Sequence, residues 1–224
     1  MLEIFAVKLV EEETFSKIKN LLINKLPFNI ATKYSDYKHS DSLQRSLLGE
    51  LLMRKILSQK LNLNEKDIVF QKGDNGKPYL LNQQFYFNIS HSGKWVVGAF
   101  SDKEVGIDVE LIREPNYEVA KRFYSNTELE KLNSIVDKDL KKDYFFDLWT
   151  LKESYLKAIG TGLTKSLSSF TISTSNAYIK LFDDSPIDNV YFKQYQFDKD
   201  YKLAVCSFVN LFCEEITVVE IEDL

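Results

Sequence analysis

Cysteine, histidine, glycine and proline are all scarce in this 224-residue chain, and each scarcity removes a class of protein. Cys206 and Cys213 form no CxxC pair, and with only His39 and His91 beside them the ligands for a tetrahedral zinc site are missing. The two thiols lie on what read as neighbouring strand segments and are expected to be buried and reduced, not bridged. Eight glycines and four prolines are spread too thinly to form a linker, so any two lobes should pack tightly. Only four of the 29 cationic residues are arginine (Arg45, Arg54, Arg113 and Arg122), and the net charge is -4. No duplex nucleic acid partner is expected of such a chain, and basic residues must be concentrated locally if an anion binds. No run of about 18 apolar residues occurs, so no transmembrane helix and no membrane partner are expected. The start, Met1 to Val7 with Glu3 and then Glu11 to Glu13, has no basic leader pattern, and a cytoplasmic location is the expectation.

What is present is core material. Apolar residues make up 44% and aromatics 13%, enough for one large domain or two of roughly 100 residues each. Ile4 to Leu9 reads as a strand, and Phe15, Ile18, Leu21, Leu22 and Leu26 recur at helical spacing up to Pro27. Ser42 to Leu61 is the strongest helix, with Asp41 or Ser42 as its cap. After the turn Asp74-Asn75-Gly76 come strands at Gln84 to Ile89 and Trp95 to Phe100, joined by Ser90-His91-Ser92-Gly93-Lys94, and a further strand at Val105 to Leu111. Helices follow from Thr127 to Leu132 and from Asp143 to Ile159, then strands at Ser169 to Ser173, Val190 to Phe197 and Lys202 to Phe208. Tyr201 to Phe208 echoes Lys94 to Ser101 in pattern. The order predicts an α+β fold of two related lobes, residues 1–103 and 104–224.

Three segments carry chemistry. In Val105 to Leu111 the apolar residues alternate with Gly106, Asp108 and Glu110, which therefore share one strand face. Two carboxylates there repel each other unless a cation intervenes. An oxygen-preferring divalent metal would serve, with Gly106 leaving room for a ligand, and a solvent-facing edge strand would also explain the pattern. In Trp149-Thr150-Leu151-Lys152-Glu153-Ser154-Tyr155-Leu156-Lys157, Glu153 and Lys157 project from one helix face. They fit either a surface ion pair or a third metal carboxylate with an ammonium for phosphate. Gly160-Thr161-Gly162 follows this helix and reads as its stop, not as a phosphate loop. In Asn88-Ile89-Ser90-His91-Ser92, Ser90 and His91 are strand neighbours pointing to opposite faces and so form no nucleophilic dyad. A basic group, Lys33, Lys38, His39, Arg45, Arg54 and Lys55, surrounds the long helix, several of its members reading as a solvated face.

Taken in order, Arg45-Ser46-Leu47-Leu48-Gly49, Gly76-Lys77-Pro78, Asn88 to Ser92, Gly106-Ile107-Asp108-Val109-Glu110 and Trp149 to Lys157 resemble the motifs of the Sfp-type 4'-phosphopantetheinyl transferases. The resemblance runs over nearly the whole chain. It implies a pseudo-dimer of two similar lobes with the active site in the cleft between them. The implied reaction moves the phosphopantetheine arm of coenzyme A to a serine of an apo peptidyl or acyl carrier protein, releasing 3',5'-ADP.

By the same resemblance Asp108, Glu110 and Glu153 hold Mg²⁺, and Lys157 stabilises phosphate charge. Glu153 or a metal-bound water it orients takes the serine proton. Lys33, Arg45 and His91 meet the 3'-phosphate of coenzyme A, Ser46 donates a hydroxyl to phosphate, Lys77 and Pro78 line the adenine pocket, and Ser90 adds a polar contact. The stretch from Ile112 to Ser125, with Arg113, Lys121, Arg122 and the exposed-looking Phe123 and Tyr124, matches the carrier-docking region, although core packing explains the two aromatics equally well. Three residues before Lys33, where a close family member has a second lysine, this chain has Ile30. A monomer is implied. A Mg²⁺-dependent hydrolase of the coenzyme A pyrophosphate, and a non-catalytic coenzyme A or carrier-binding module, are the competing readings.

Overall fold

The computed structural model describes residues 2–34, 40–81, 85–175, 178–184 and 189–224. The first half runs β1 (Glu3–Lys8), α1 (Glu12–Asn24), α2 (Phe28–Ala31), α3 (Ser40–Leu61), β2 (Phe70–Lys72), β3 (Pro78–Leu80), β4 (Tyr86–Ser92) and β5 (Trp95–Ser101). The second runs β6 (Val105–Leu111), α4 (Tyr117–Phe123), α5 (Asn126–Ser134), α6 (Lys138–Ile159), β7 (Thr171–Ser175), β8 (Tyr178–Phe182), β9 (Tyr191–Tyr195), β10 (Tyr201–Ser207) and β11 (Ile216–Val219). The α+β expectation holds. β5 and β10, the two segments that echo each other in sequence, are interior strands of the two main sheets, ordered β11-β1-β5-β4 and β6-β10-β9. β11 runs parallel to β1, and Ile221 and Leu224 beyond it are buried in the first core, so the last residues return to the first lobe.

Local sequence explains the helices that place the site. α6 starts where the Asp137 carboxylate accepts the amides of Asp139 and Leu140, both at 2.9 Å, and stops at Gly160, whose φ of 70° suits a residue without Cβ. α5 opens with a capping box between Ser125 and Glu128. In α3 Leu43, Leu47, Leu48, Leu51 and Leu52 are all buried, which satisfies the wide apolar face. Asp41 and Ser42 are not caps, because the helix already includes Ser40.

β6 is the seam of the molecule. Val105, Ile107 and Val109 are fully buried in a core shared with Leu2, Ile4, Val97 and Ala99 of the first sheet and Leu203 and Val205 of the second. The opposite face of β6 meets α6. A Cβ on Gly106 would lie 2.0 Å from the Ser154 carbonyl oxygen and 2.4 Å from the Ala158 amide nitrogen. Gly106 is therefore not a gap for a ligand, as the sequence reading has it. It is filled by the helix backbone that carries Glu153 and Lys157.

β4 extends through Ser92, further than the sequence indicates, so only Gly93 and Lys94 turn the chain. The extension puts Asn88, Ser90 and Ser92 on one face. Their side-chain oxygens accept the amides of Ile107 (2.9 Å), Val109 (3.4 Å) and Leu111 (3.1 Å), a constant offset of 19 residues. The two lobes are thus joined along β4 and β6 by side chains standing in for a strand's carbonyls, a way of pairing amides that the sheets themselves leave over.

Candidate active site

β6 runs along the lobe junction, with an inter-lobe cavity near its start and a cavity of the second lobe, which Glu110 lines, near its end. At one end a cavity of about 250 Å³ is lined by Lys77, Pro78, Tyr86, Phe87, Ile159 and Gly160. There the Lys77 ammonium donates to the Ala158 carbonyl at 2.9 Å and the Val105 carbonyl at 3.4 Å, and pairs with Glu104 at 3.1 Å. It sits at the negative end of α6, where a cation is favoured.

At the centre Ser90 donates to Asp108 Oδ1 at 2.9 Å, and the Lys157 ammonium donates to the same oxygen at 2.6 Å and to Ser90 Oγ at 2.8 Å. Lys157 thus pairs with Asp108 inside the second lobe and reaches Ser90 across the lobe junction, instead of forming a plain surface ion pair with Glu153. Asp108 Oδ2 is buried and has no hydrogen-bond partner, which costs on the order of 1–3 kcal/mol unless a ligand satisfies it. Next along the strand, Ser92 donates to Glu110 Oε2 at 2.8 Å. At the far end a cavity of about 440 Å³ is lined by Glu110, Arg113, Pro115, Phe146 and Trp149, among others.

Charge is unbalanced at the centre. Glu110 is pushed above the ordinary carboxylate range by burial and then by Asp108, and Glu153 by burial, Asp108 and Glu110, with Lys157 opposing. Three acids face the Lys157 ammonium and, on Glu110, the Arg113 guanidinium, so negative charge is left over. Among the described residues no three such side chains are closed into a ready-made metal cage. The donor set nevertheless fits a hard divalent cation: all three groups are carboxylates, one oxygen is buried without a partner, and two of the acids are pushed toward protonation, first by burial and then by one another's charge.

The remaining predicted residues fall as follows. His91 points away from Ser90 and Ser92 and keeps an exposed surface; the atoms packed about its ring lower its pKa, and Arg45 and Lys157 lower it further. Arg45 donates to the Gly93 carbonyl at 3.1 Å. Ser46 lies on the same turn of α3, its carbonyl accepting from Tyr34 at 3.4 Å. Lys33 is exposed on the turn Thr32–Tyr34 and lines a groove of about 320 Å³ with Ile30, Lys66, Lys72 and Pro78. Lys38 and His39 lie outside the described residues. Arg54 is not solvated: it is 2% exposed, with its guanidinium on Glu50 and on the carbonyls of Glu65 and Ile68. Tyr124 is core, its hydroxyl donating to the Phe145 carbonyl at 2.6 Å, while Phe123 stays half-buried against Trp149. Cys206 and Cys213 are free thiols, Cys206 buried on β10 as expected, but Cys213 only half-buried in the segment between β10 and β11.

Sequence reasoning missed two things. Asn88 and Ser92 were visible only as motif members, although their period-2 spacing with Ser90 signals a shared face. Lys152, central to the Trp149–Lys157 motif, is wholly buried and serves the fold: it donates to both Glu128 oxygens at 2.7 Å and to the Phe170 carbonyl at 2.8 Å. Glu128 in turn accepts the amides of Ser125 and Ile172, tying α5, α6 and β7 together.

Two α+β lobes joined along an acidic cleft, with lysine on its central carboxylate, define a two-lobed enzyme architecture. The family model for the 4'-phosphopantetheinyl transferase superfamily matches residues 104–206, and that for a 4'-phosphopantetheinyl transferase N-terminal region matches residues 14–103. The chain belongs to the 4'-phosphopantetheinyl transferase family. It is 40% identical to 4'-phosphopantetheinyl transferase Sfp of Bacillus subtilis (strain 168) over 193 residues, 84% of each chain. It is 35% identical to 4'-phosphopantetheinyl transferase gsp of Aneurinibacillus migulanus over 225 residues, covering 100% of this chain and 94% of that one. Among solved structures, a holo-(acyl-carrier-protein) synthase from Bacillus anthracis in complex with CoA (3',5'-ADP) aligns over 46% of this chain and 93% of its own, with 18% identity and a TM-score of 0.41. Among the described residues no helix is long and apolar enough to cross a membrane.

Proposed function

We propose that the protein transfers the 4'-phosphopantetheine group of coenzyme A to a serine hydroxyl of an apo peptidyl or acyl carrier protein, releasing 3',5'-ADP. The observation that carries this reading is the Ser90–Lys157–Asp108 cluster at the lobe junction, with its unpartnered buried Asp108 oxygen, flanked by an inter-lobe cavity at Lys77 and Pro78 and a second-lobe cavity that Glu110 lines. Coenzyme A enters from the Lys77–Pro78 end. Lys33, Arg45, Ser46 and His91 take its phosphates, and residues 1–103 form the coenzyme A lobe. Residues 104–224, apart from β11 and the last residues that return to the first lobe, form the metal and carrier lobe, with the carrier at the Arg113–Trp149 end and along Ile112 to Ser125. Asp108, Glu110 and Glu153 hold Mg²⁺, which when bound draws charge from the pyrophosphate oxygens.

The residues then divide the work. Ser90 and Lys157 fix Asp108, and the Lys157 ammonium offers its remaining proton to a phosphate oxygen as charge develops there. The carrier serine oxygen forms a bond to the β-phosphorus as the bond to the bridging oxygen breaks, and 3',5'-ADP leaves with that electron pair. Glu153, or a metal-bound water that it orients, would take the serine proton. The enzyme works as a cytoplasmic monomer, and carriers of nonribosomal peptide synthesis fit this Sfp-like chain. Chromatography of the nucleotide product tests the reading. 3',5'-ADP should form only when apo carrier is present; release without carrier supports the hydrolase alternative, and none under either condition supports a binding module.

A further inference from the structure

Ser92 has a part in the site that neither its motif nor its chemistry alone assigns. Its hydroxyl accepts the Leu111 amide at 3.1 Å, so its single proton is left to donate, and it goes to Glu110 Oε2 at 2.8 Å. Because the amide belongs to a strand, the hydroxyl is held by fixed backbone and not by another rotor.

The same strand provides its own comparison. Each of Asn88, Ser90 and Ser92 accepts an amide from β6, and each also faces the β6 residue just before that amide. For Ser90 that residue is Asp108, and for Ser92 it is Glu110. For Asn88 it is Gly106, which has no side chain to hold. Asn88 therefore does only the pinning, while the two serines pin the lobes and occupy one oxygen of an acid. At Asp108 the consequence is visible, since Oδ1 is engaged and Oδ2 is buried without a partner.

We propose that Ser92 is a positioning residue: held by the Leu111 amide, it engages one oxygen of Glu110 and so orients the carboxylate toward the divalent cation. The inference rests on the cation site of the proposed function. Outer partners of metal-binding carboxylates are commonly worth about 10–100-fold in metal affinity.

Free Mn²⁺ measured by electron paramagnetic resonance, titrated against the full chain with coenzyme A present, reads the site without turnover. Ser92→Ala should raise the Mn²⁺ Kd about tenfold or more, and Ser92→Thr, which keeps the hydroxyl, should restore it to within about twofold. Asn88→Ala should lower the melting temperature to a similar extent as Ser92→Ala yet leave the Kd within about twofold. Should Ser92→Ala not fold, Ser92→Cys, close in size and a weaker donor, carries the same expectation. An unchanged Kd in Ser92→Ala or Ser92→Cys, or an equal rise in Asn88→Ala, overturns the positioning role alone. If the unaltered protein shows no saturable Mn²⁺ binding, the cation site fails and this inference fails with it.

Discussion

Replacing Gly106 with alanine tests how closely α6 must lie on β6 for the site to exist. The added Cβ would stand 2.0 Å from the Ser154 oxygen, 2.4 Å from the Ala158 nitrogen and 3.0 Å from the Ala158 Cα. An ordinary C···O contact is about 3.3 Å or longer, so the helix must retreat by about 1 Å. All three atoms are helix backbone and none can swing aside. Forced overpacking of this kind costs about 3 kcal/mol, and for a chain of this length that lowers Tm by roughly 6–12 °C. The same retreat moves Glu153 and Lys157 off Asp108, and a misplacement of about 1 Å can cost on the order of 100-fold in rate. Thermal melts and a carrier-modification assay on Gly106→Ala should show both losses. Gly49→Ala is the matched control: its Cβ would meet Ile89 and Val96 at 3.5–3.9 Å, ordinary contact, so a mid-helix alanine should be neutral or stabilising by up to about 1 kcal/mol. A Gly106→Ala protein that melts and turns over like the unaltered one would refute the reasoning.

Three further outcomes follow from the contacts. Asp108→Ala should abolish carrier modification while the protein still folds, checked by circular dichroism beside the activity assay, since a buried unpartnered oxygen is removed along with the acid. Lys152→Met leaves the Glu128 carboxylate buried without its cation and should cost about 3–5 kcal/mol in urea unfolding, and adding Glu128→Gln should recover part of it. Asp198 holds lobe one through Trp95 Nε1 at 3.0 Å and Lys94 at 3.1 Å, and its pKa is lowered to about 2, first by the Trp95 hydrogen bond. A lowered carboxylate pKa stabilises the fold above the unfolded value near 3.8 and loses that contribution as the pH falls toward 2. Asp198→Asn should therefore be less stable by about 1–2 kcal/mol at neutral pH, allowing for solvent at Lys94, and the gap to the unaltered protein should close between pH 4 and 2.

Much of this architecture is legible wherever a segment's pattern is set by its own neighbours. The alternation in Val105 to Leu111 gives β6 residue for residue, because one of its faces is wholly apolar. The leucines of α3 and the aromatics of α6 likewise mark helices, and Gly160 marks a stop. What escapes is decided by a partner far off in sequence. β2, β3, β8 and β11 are three to five residues long, and β11 makes sense only beside β1. Ser90, His91 and Ser92 have loop-forming composition, yet they extend a strand because β5 pairs with all three and β6 offers amides that Ser90 and Ser92 accept. Gly106 signals a close approach without saying of what, and a helix, not a ligand, is the answer. Arg54 and Lys152 look like surface charge until their buried carbonyl and carboxylate partners are seen.

In the proposed reaction the acids and lysine of this cleft move phosphopantetheine to a carrier serine with the help of a divalent cation. Intact-mass spectrometry of an apo carrier protein, incubated with this protein, coenzyme A and Mg²⁺, with and without EDTA, tests it most directly. The carrier should gain one phosphopantetheinyl group, and the gain should disappear with EDTA. An unmodified carrier across peptidyl and acyl types, or a gain that persists in EDTA, would contradict it.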